Sequence, residues 1–390
     1  MSVEEPIPFE RLALAPAVLQ AVADVGYELP SPIQAQAIPP LLEGRDLLGQ
    51  AQTGTGKTAA FTLPLLHQIK QHANTSTSPA RHPVRALVLA PTRELAIQVH
   101  ESVVDYSKNL ALRSTCVYGG VGMHEQEAIL RTGIEVLVAT PGRLLDHAGN
   151  KTTLLNQVQF LVLDEADRML DMGFLPQIRK VLKHLPRRRQ TLFFSATIPP
   201  PIVELSGEML SRPVQINVQR QAAPAVGITQ AVYPVPQHLK PLLLVALLER
   251  GDIRDALVFT RTKHRANRLA DHLVRAGIKA ERIHGNRSQG QRTEALAGFK
   301  AGKYRVLVAT DIAARGIDVE GISHVINYDM PDTTDAYTHR IGRTGRAERT
   351  GEAYTLVTVQ DADNVRAVEQ VLGHKLERRT VPGFDYSAAP

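Results

Sequence analysis

Short runs of uninterrupted apolar residues alternate along the chain with longer segments in which apolar positions recur every three or four residues. Ala86 to Ala90, Thr115 to Tyr118, Val136 to Ala139, Phe160 to Leu163 and Thr191 to Phe194 read as strands. Continuous runs of Val, Leu and Phe suit strands buried on both faces, which predicts a parallel sheet flanked by helices. Leu47 and Leu48 read as the end of one more strand, and Ala59 to Ile69 as the helix after it. Upstream, Phe9 to Val25 has an amphipathic helical pattern, and a turn-rich stretch through Gly26 and Pro30 leads to a helix starting near Pro32.

The rhythm then begins again. Ala256 to Phe259, Ala280 to Ile283, Val306 to Ala309, Val325 to Tyr328 and Ala353 to Val357 form a second set of strand candidates. Val136 to Thr140 and Val306 to Thr310 are the same pentapeptide, VLVAT, each followed by a loop with Gly and Arg. Repetition of both rhythm and peptide predicts two related α/β domains. Ser211 to Gln237 carries Pro213, Pro224, Pro234 and Pro236, which places a linker there. The expected organisation is a first domain over 1–211, a linker over 212–227, a second domain over 228–376 and a short tail over 377–390. Gln71 to Pro83 is polar and is expected to be a mobile surface loop.

Composition narrows the class. A length of 390 residues is comfortable for two domains, and 43% apolar residues suffice for ordinary cores. A net charge of +6 favours a polyanionic partner. The single cysteine, Cys116, excludes an internal disulfide, and no cysteine and histidine cluster has zinc spacing. Met1 to Arg11 holds acids and prolines, and no apolar run approaches the ~20 residues of a membrane span, so a cytoplasmic location is expected.

The strongest chemical signal is Ala51 to Thr58, AQTGTGKT. It is one residue off the phosphate-loop pattern G-x-x-x-x-G-K-[ST], with Ala51 at the first glycine. Gly54 and Gly56 still let successive N–H groups of Gln52, Thr53 and Thr55 turn toward phosphate oxygens. Lys57 would reach the β- and γ-phosphates and Thr58 would hold Mg²⁺. A Gly/Thr-rich surface turn is the bland alternative. Asp164, Glu165, Ala166 and Asp167 follow the strand Phe160 to Leu163, at the strand end where doubly wound folds bind ligands. Asp164 would support Mg²⁺, and Glu165 would position or deprotonate the attacking water; a solvated acidic helix start is the alternative. In the second domain, His339, Arg340, Gly342, Arg343, Gly345 and Arg346 set arginines three apart. They suit a transferring phosphoryl group, or else a basic loop facing nucleic acid.

Taken together, these motifs resemble the DEAD-box RNA helicases, and among them the bacterial RhlE type, over nearly the whole chain. The resemblance implies two tandem RecA-like domains, each a mainly parallel sheet flanked by helices. It makes Phe9, Tyr27 and Gln34 part of an adenine-reading motif in which Ser31 stands where Thr is commoner. Ala51 is the residue the family usually carries at that place. PTRELA from Pro91, Thr92 and Arg93, then Gly119 with Gly120, and TPGR with Thr140, Pro141 and Arg143 match RNA-backbone motifs. Ser195 and Thr197 match the motif that links hydrolysis to strand separation. Thr260, Arg261, His284, Gly285 and Thr310 match further RNA motifs; Gly316 and Asp318 fall on nucleotide contacts, Asp318 at the ribose. Arg343 and Arg346 fall on the two arginine fingers. The tail VPGFDY resembles the RhlE ending.

The implied activity is ATP-dependent separation of RNA duplexes or remodelling of RNA–protein complexes, with ATP and Mg²⁺ as cofactors and single-stranded or duplex RNA gripped mostly by its backbone. Ribosome-assembly or RNA-decay proteins are conceivable partners. Independently of the resemblance, Thr92, Arg93, Thr140, Arg143, Thr260 and Thr310 all follow strand ends, where they would grip phosphates and sugars with little base discrimination. Any one of these threonines could equally be a helix cap. A DNA translocase and an RNA-annealing chaperone remain alternatives.

Overall fold

The structure is a computed structural model that describes residues 7–51, 55–218, 228–311, 321–344 and 351–389. Contacts divide it into two units, Met1–Arg220 and Gln221–Pro390. The first carries β1 (Leu47–Ala51), β2 (Ala86–Leu89), β3 (Ser114–Val117), β4 (Val136–Ala139), β5 (Phe160–Leu163), β6 (Gln190–Ser195) and β7 (Val214–Val218). The second carries β8 (Ile228–Pro234), β9 (Ala256–Thr260), β10 (Ala280–Ile283), β11 (Val306–Thr310), β12 (His324–Asn327), β13 (Gly351–Val357) and β14 (Glu377–Arg378).

Within each unit the strands form one parallel sheet. The orders are β3-β4-β2-β5-β6-β1-β7 and β10-β11-β9-β12-β13-β8-β14. Subtracting seven from each label of the second gives the first, so the two units share one topology. The repeated VLVAT peptide occupies β4 and β11, which are equivalent strands. Successive residues serve opposite cores: Leu192 and Phe194 pack into one apolar cluster of the first unit and Phe193 into the other. That two-sided burial is why these strands read as unbroken apolar runs.

Several boundaries differ from the sequence expectation. Phe9 to Val25 is not one helix: a 3-10 turn, Phe9–Leu12, ends where Ala13 takes a left-handed conformation (φ 56°), and an α-helix resumes over Pro16–Asp24. The stretch assigned to the linker begins with β7, which pairs with β1. Its alternating burial, with Gln215 and Asn217 exposed, is that of an edge strand and lacks an apolar run. The tail contributes β14, paired with β8. Gln71 to Pro83 holds two 3-10 turns, and its His82 is buried, with Nδ1 on the Glu135 carboxylate and Nε2 2.7 Å from the Ser76 carbonyl. The loop is therefore tied to the start of β4.

Candidate functional site

In a parallel sheet with this order, β5, β6 and β1 are neighbours, so loops far apart in sequence meet at one carboxyl edge. β1 delivers the phosphate loop, β5 the acidic run and β6 Ser195. Ala51 is the last residue of β1, buried and paired with Val218. An extended, paired residue needs no glycine, which accounts for the departure from the general pattern. Gly56 does need to be glycine: its φ is +92°, and a Cβ there would lie 2.6 Å from Gln34 Nε2 and 2.8 Å from Ser31 Oγ.

Those two neighbours shape the loop. Ser31 Oγ donates to the Thr55 carbonyl (2.8 Å) and Gln34 Nε2 to the Gly56 carbonyl (3.2 Å), while Gln34 Oε1 accepts from the Ser31 N–H (2.8 Å). Serine thus does the work expected of threonine. Phe9 is buried and stacks on Tyr27, with ring centroids 6.3 Å apart. Tyr27 is 40% exposed and shares a 2.9 Å hydrogen bond with Tyr106, so it is the ring open to a base. Gly56→Ala is expected to cost about 1–2 kcal/mol through the left-handed backbone alone. Pushing Gln34 and Ser31 off the loop should weaken nucleotide binding by roughly tenfold or more, which titration with a fluorescent ADP analogue measures.

Lys57 opens the helix Lys57–Ile69 and is buried, with Nζ 3.7 Å from Asp164 Oδ1. Neither atom has a hydrogen-bond partner among the described residues. Buried charges without hydrogen bonds are costly, and an anion at Lys57 with a cation at Asp164 would satisfy both. Burial raises the Asp164 carboxyl above the usual carboxylate range; Lys57 opposes this, and Glu165 and Asp167 add to it. Thr58 is half-buried beside Lys57, so the donor set fits a nucleotide polyphosphate with a divalent cation.

Glu165 takes a left-handed conformation (φ 53°) and its carboxylate meets Arg168 Nη1 at 3.2 Å. A non-glycine residue there is strained, and such strain gathers at functional positions. Asp167 ties the acidic run to β6: its N–H donates to Ser195 Oγ (3.1 Å), and its Oδ2 accepts from the Thr197 N–H (2.9 Å) and hydroxyl (3.0 Å). Ser195 Oγ donates in turn to the Thr197 carbonyl (2.7 Å). The sequence placed Asp167 in the run but gave it no role.

The other half of the edge follows β3, β4 and β2. Arg93 lies against Gly120, where a Cβ would meet its Nη1 at 2.0 Å and φ is +85°. Arg143 donates to the Val121 carbonyl from Nη1 and Nη2, each at 3.2 Å, and to Gln126 Oε1 at 3.1 Å. It braces the glycine loop. Thr92 caps the helix Arg93–Ser107 by accepting from the Leu95 N–H (3.3 Å), whereas Thr140, at the corresponding position before Pro141, makes no such bond. Pro91, Thr140 and Pro141 are buried.

In the second unit the equivalent strands β10, β11 and β9 carry His284, Gly285, Thr310, Thr260 and Arg261. His284 is buried, 2.8 Å from Asn267 Oδ1 through Nε2, and its Nδ1 accepts from the Asn286 N–H (3.3 Å). Burial lowers its pKa, reinforced by Arg287, Arg282 and other cations, which favours the neutral ring. Thr260 is buried and donates to the Thr262 carbonyl (3.3 Å). Gly285 and Arg261 are exposed, and Arg261 Nη2 meets Asp332 at 3.1 Å. Thr310, which ends β11, is buried, as is Arg343. Arg340 is enclosed in a network with Asp311, Asn327 and the Asp329 carbonyl. Lys240 opens the helix Lys240–Glu249, six residues beyond β8, as Lys57 stands six beyond β1. It is 1% exposed and donates to the Tyr328 carbonyl (2.9 Å). Gln52, Thr53, Gly54, Gly316, Asp318 and Arg346 lie outside the described residues.

A buried lysine opening the helix after β1, an aspartate after the strand two places away, and a glycine-turned loop between them define a phosphate-loop nucleotide site. The family signature of DEAD/DEAH box helicases matches residues 31–205, and that of the helicase conserved C-terminal domain matches residues 239–348. The chain is 42% identical over 377 residues to the DEAD-box ATP-dependent RNA helicase CshA of Bacillus cereus, covering 97% of this chain and 70% of that protein. It is 40% identical over 374 residues to the DEAD-box ATP-dependent RNA helicase RhpA of Helicobacter pylori, covering 96% and 74%. Among solved structures, S. cerevisiae Dbp5 bound to RNA and ADP BeF3 superposes with a TM-score of 0.84 at 31% identity, covering 96% of each chain. A DEAD box protein from Methanococcus jannaschii gives 0.53 at 35% identity, covering 96% of this chain and 99% of the other. The chain belongs to the DEAD-box ATP-dependent RNA helicase family.

Proposed function

We propose that the chain couples ATP hydrolysis to local separation of RNA strands, with nucleotide and RNA jointly favouring a closed arrangement of its two units. The observation that carries this reading is the divided edge of the first sheet. Its β5-β6-β1 half holds the Lys57–Asp164 pair, and its β3-β4-β2 half presents Arg93 and the glycine loop. Lys57 meets the β- and γ-phosphates of ATP, Glu165 orients the attacking water, and Arg343 and Arg346 stabilise charge on the transferring group. Thr58 and Asp164 would hold Mg²⁺, which would supply charge neutralisation to the phosphates. Tyr27 and Gln34 serve the adenine side, and Asp318 the ribose. RNA-backbone contacts by Arg93, Gly120, Gly285, Arg261 and Thr310, largely independent of base identity, complete the scheme.

Asp167 makes the coupling testable. Asp167→Ala strands the Thr197 N–H and hydroxyl while leaving Lys57 and Asp164 in place. ATP turnover should fall less than about tenfold and duplex separation by more, so that strands separated per ATP drop. A parallel fall in both would remove the coupling role. The function as a whole is tested by ATPase rate with single-stranded RNA, with DNA of the same sequence and with neither. Stimulation by RNA alone is expected; equal stimulation by DNA favours a translocase, and indifference to both removes the proposal.

We infer further an RhlE-like character, supported by the VPGFDY tail, a cytoplasmic location, and a role in ribosome assembly or RNA decay. Among the described residues no helix is long and apolar enough to cross a membrane. A division into domains over 1–211 and 228–376 is likewise inferred, and the pairing of β7 with β1 supports carrying the first to Val218.

A further inference from the structure

No Asp or Glu occurs from Met172 to Val203, while that stretch holds Arg179, Lys180, Lys183, Arg187, Arg188 and Arg189. Six cations without an acid equal the whole chain's net charge of +6. Two of the six have partners within the protein. Arg179 pairs with Glu204 (3.0 Å) and Glu208 (2.5 Å) on the helix Pro200–Met209, and Arg189 Nη1 donates to the Pro186 carbonyl (2.7 Å).

The other four point outward for a reason visible in the fold. Ile178, Val181 and Leu185 are buried on one face of the helix Leu175–Leu182 and the turn that extends it. The intervening positions Lys180, Lys183 and His184 are left exposed, and Arg187 and Arg188 follow, exposed, after Pro186. Among the described residues none of these five side chains has a hydrogen-bond or ion-pair partner. Cations near a helix C-terminus are favoured by its dipole, which covers Lys180 and Lys183 but not the pair beyond Pro186.

The cluster leads directly into β6, at the amino edge of the first sheet. Ser195, at the other end of β6, lies about 17 Å away at a rise of ~3.3 Å per residue, so the cluster is separate from the edge that carries the phosphate loop and Arg93. No large apolar side chain is exposed between Leu155 and Ile202. Leu154 and Val203, just outside that stretch, are exposed. A protein partner would want an apolar anchor among the cations, and the stretch that carries them offers none; a phosphate backbone wants only cations.

We propose that Lys180, Lys183, Arg187 and Arg188, with His184, form an auxiliary RNA-backbone site on the amino edge of the first sheet, holding the duplex or flanking strand of an RNA whose single-stranded part occupies the opposite edge. This rests on the RNA-directed function proposed above. Its effect is tethering: it raises affinity for long RNA without entering the ATPase cycle.

The test compares the wild type with K180E/K183E/R187E/R188E, and with the four-glutamine equivalent in case charge reversal disturbs folding. Two ligands are used, a single-stranded RNA of about ten nucleotides and a duplex of about 25 base pairs with a single-stranded overhang. Duplex affinity near 0.1 M salt should fall at least about tenfold, and the slope of log affinity against log salt should shrink by roughly 3–4, near 0.9 per lost phosphate contact. ATPase stimulation by the short RNA should be unchanged. Unaltered duplex affinity and slope would overturn the proposal, as would an equal loss on the short RNA. If wild-type ATPase ignores the short RNA, it is the RNA-directed function itself that fails.

Discussion

Replacing Lys57 with alanine is expected to lower RNA-stimulated ATP turnover by roughly 10³-fold or more, because two effects act together. The substitution removes the cation proposed to meet the phosphates. It also leaves Asp164, 2% exposed, without the counter-charge 3.7 Å away. Burial already raises the Asp164 carboxyl, with Lys57 as the opposing influence. Removing Lys57 takes away the charge that opposes this rise and so disfavours the anionic form of Asp164. Steady-state ATPase at saturating RNA measures the loss, and a melting curve checks that the fold persists. Turnover within about tenfold of wild type would mean that the pair is structural. Annealing of complementary RNA that survives while strand separation disappears would separate enzyme from passive chaperone.

Arg340→Ala is expected to have the largest effect on stability. The guanidinium donates to both carboxylate oxygens of Asp311 (2.6 and 2.7 Å), to Asn327 Oδ1 (3.1 Å) and to the Asp329 carbonyl (2.7 Å). It also lies 5.0 Å from the Phe259 ring centroid. Arg340 is 3% exposed and Asn327 fully buried, so alanine leaves acceptors in the interior with nothing to pair them. Breaking a buried charged network in this way costs about 3–5 kcal/mol. Melting of the second unit should drop on the order of 10 °C. Arg340→Lys should fall between, since an ammonium cannot reproduce the planar two-point grip on Asp311. A shift below about 2 °C for alanine would mean that the network contributes little.

The same arginine illustrates how far the sequence could be read. Spacing put Arg340, Arg343 and Arg346 in one rhythm, yet Arg340 is committed to Asp311 and Asn327. Nothing local distinguishes them, because Asp311 follows β11 and Asn327 ends β12, both distant in sequence from the helix that carries Arg340. The phosphate loop and acidic run were legible because their chemistry is contiguous. The tie that Asp167 makes to Thr197, the brace that Arg143 makes to Val121 and the Gln34 grip on Gly56 were not, because their partners become neighbours only once the strand order is known. Strands with two buried faces announced themselves as apolar runs, whereas β7, on a sheet edge, and β8, ending at Pro234, merged into a proline-rich stretch. Thr92 proved to be a cap, one of two readings that a threonine before a helix always permits.

The two sheets share one strand order, and Lys240 stands in the second where Lys57 stands in the first. Its ammonium is already spent on the Tyr328 carbonyl. The connection before it, Val235 to Leu239, has no glycine with which to wrap a phosphate. At one and the same place in the two sheets, the first unit thus leaves its lysine ammonium without a hydrogen-bond partner among the described residues, and the second ties its lysine to a carbonyl.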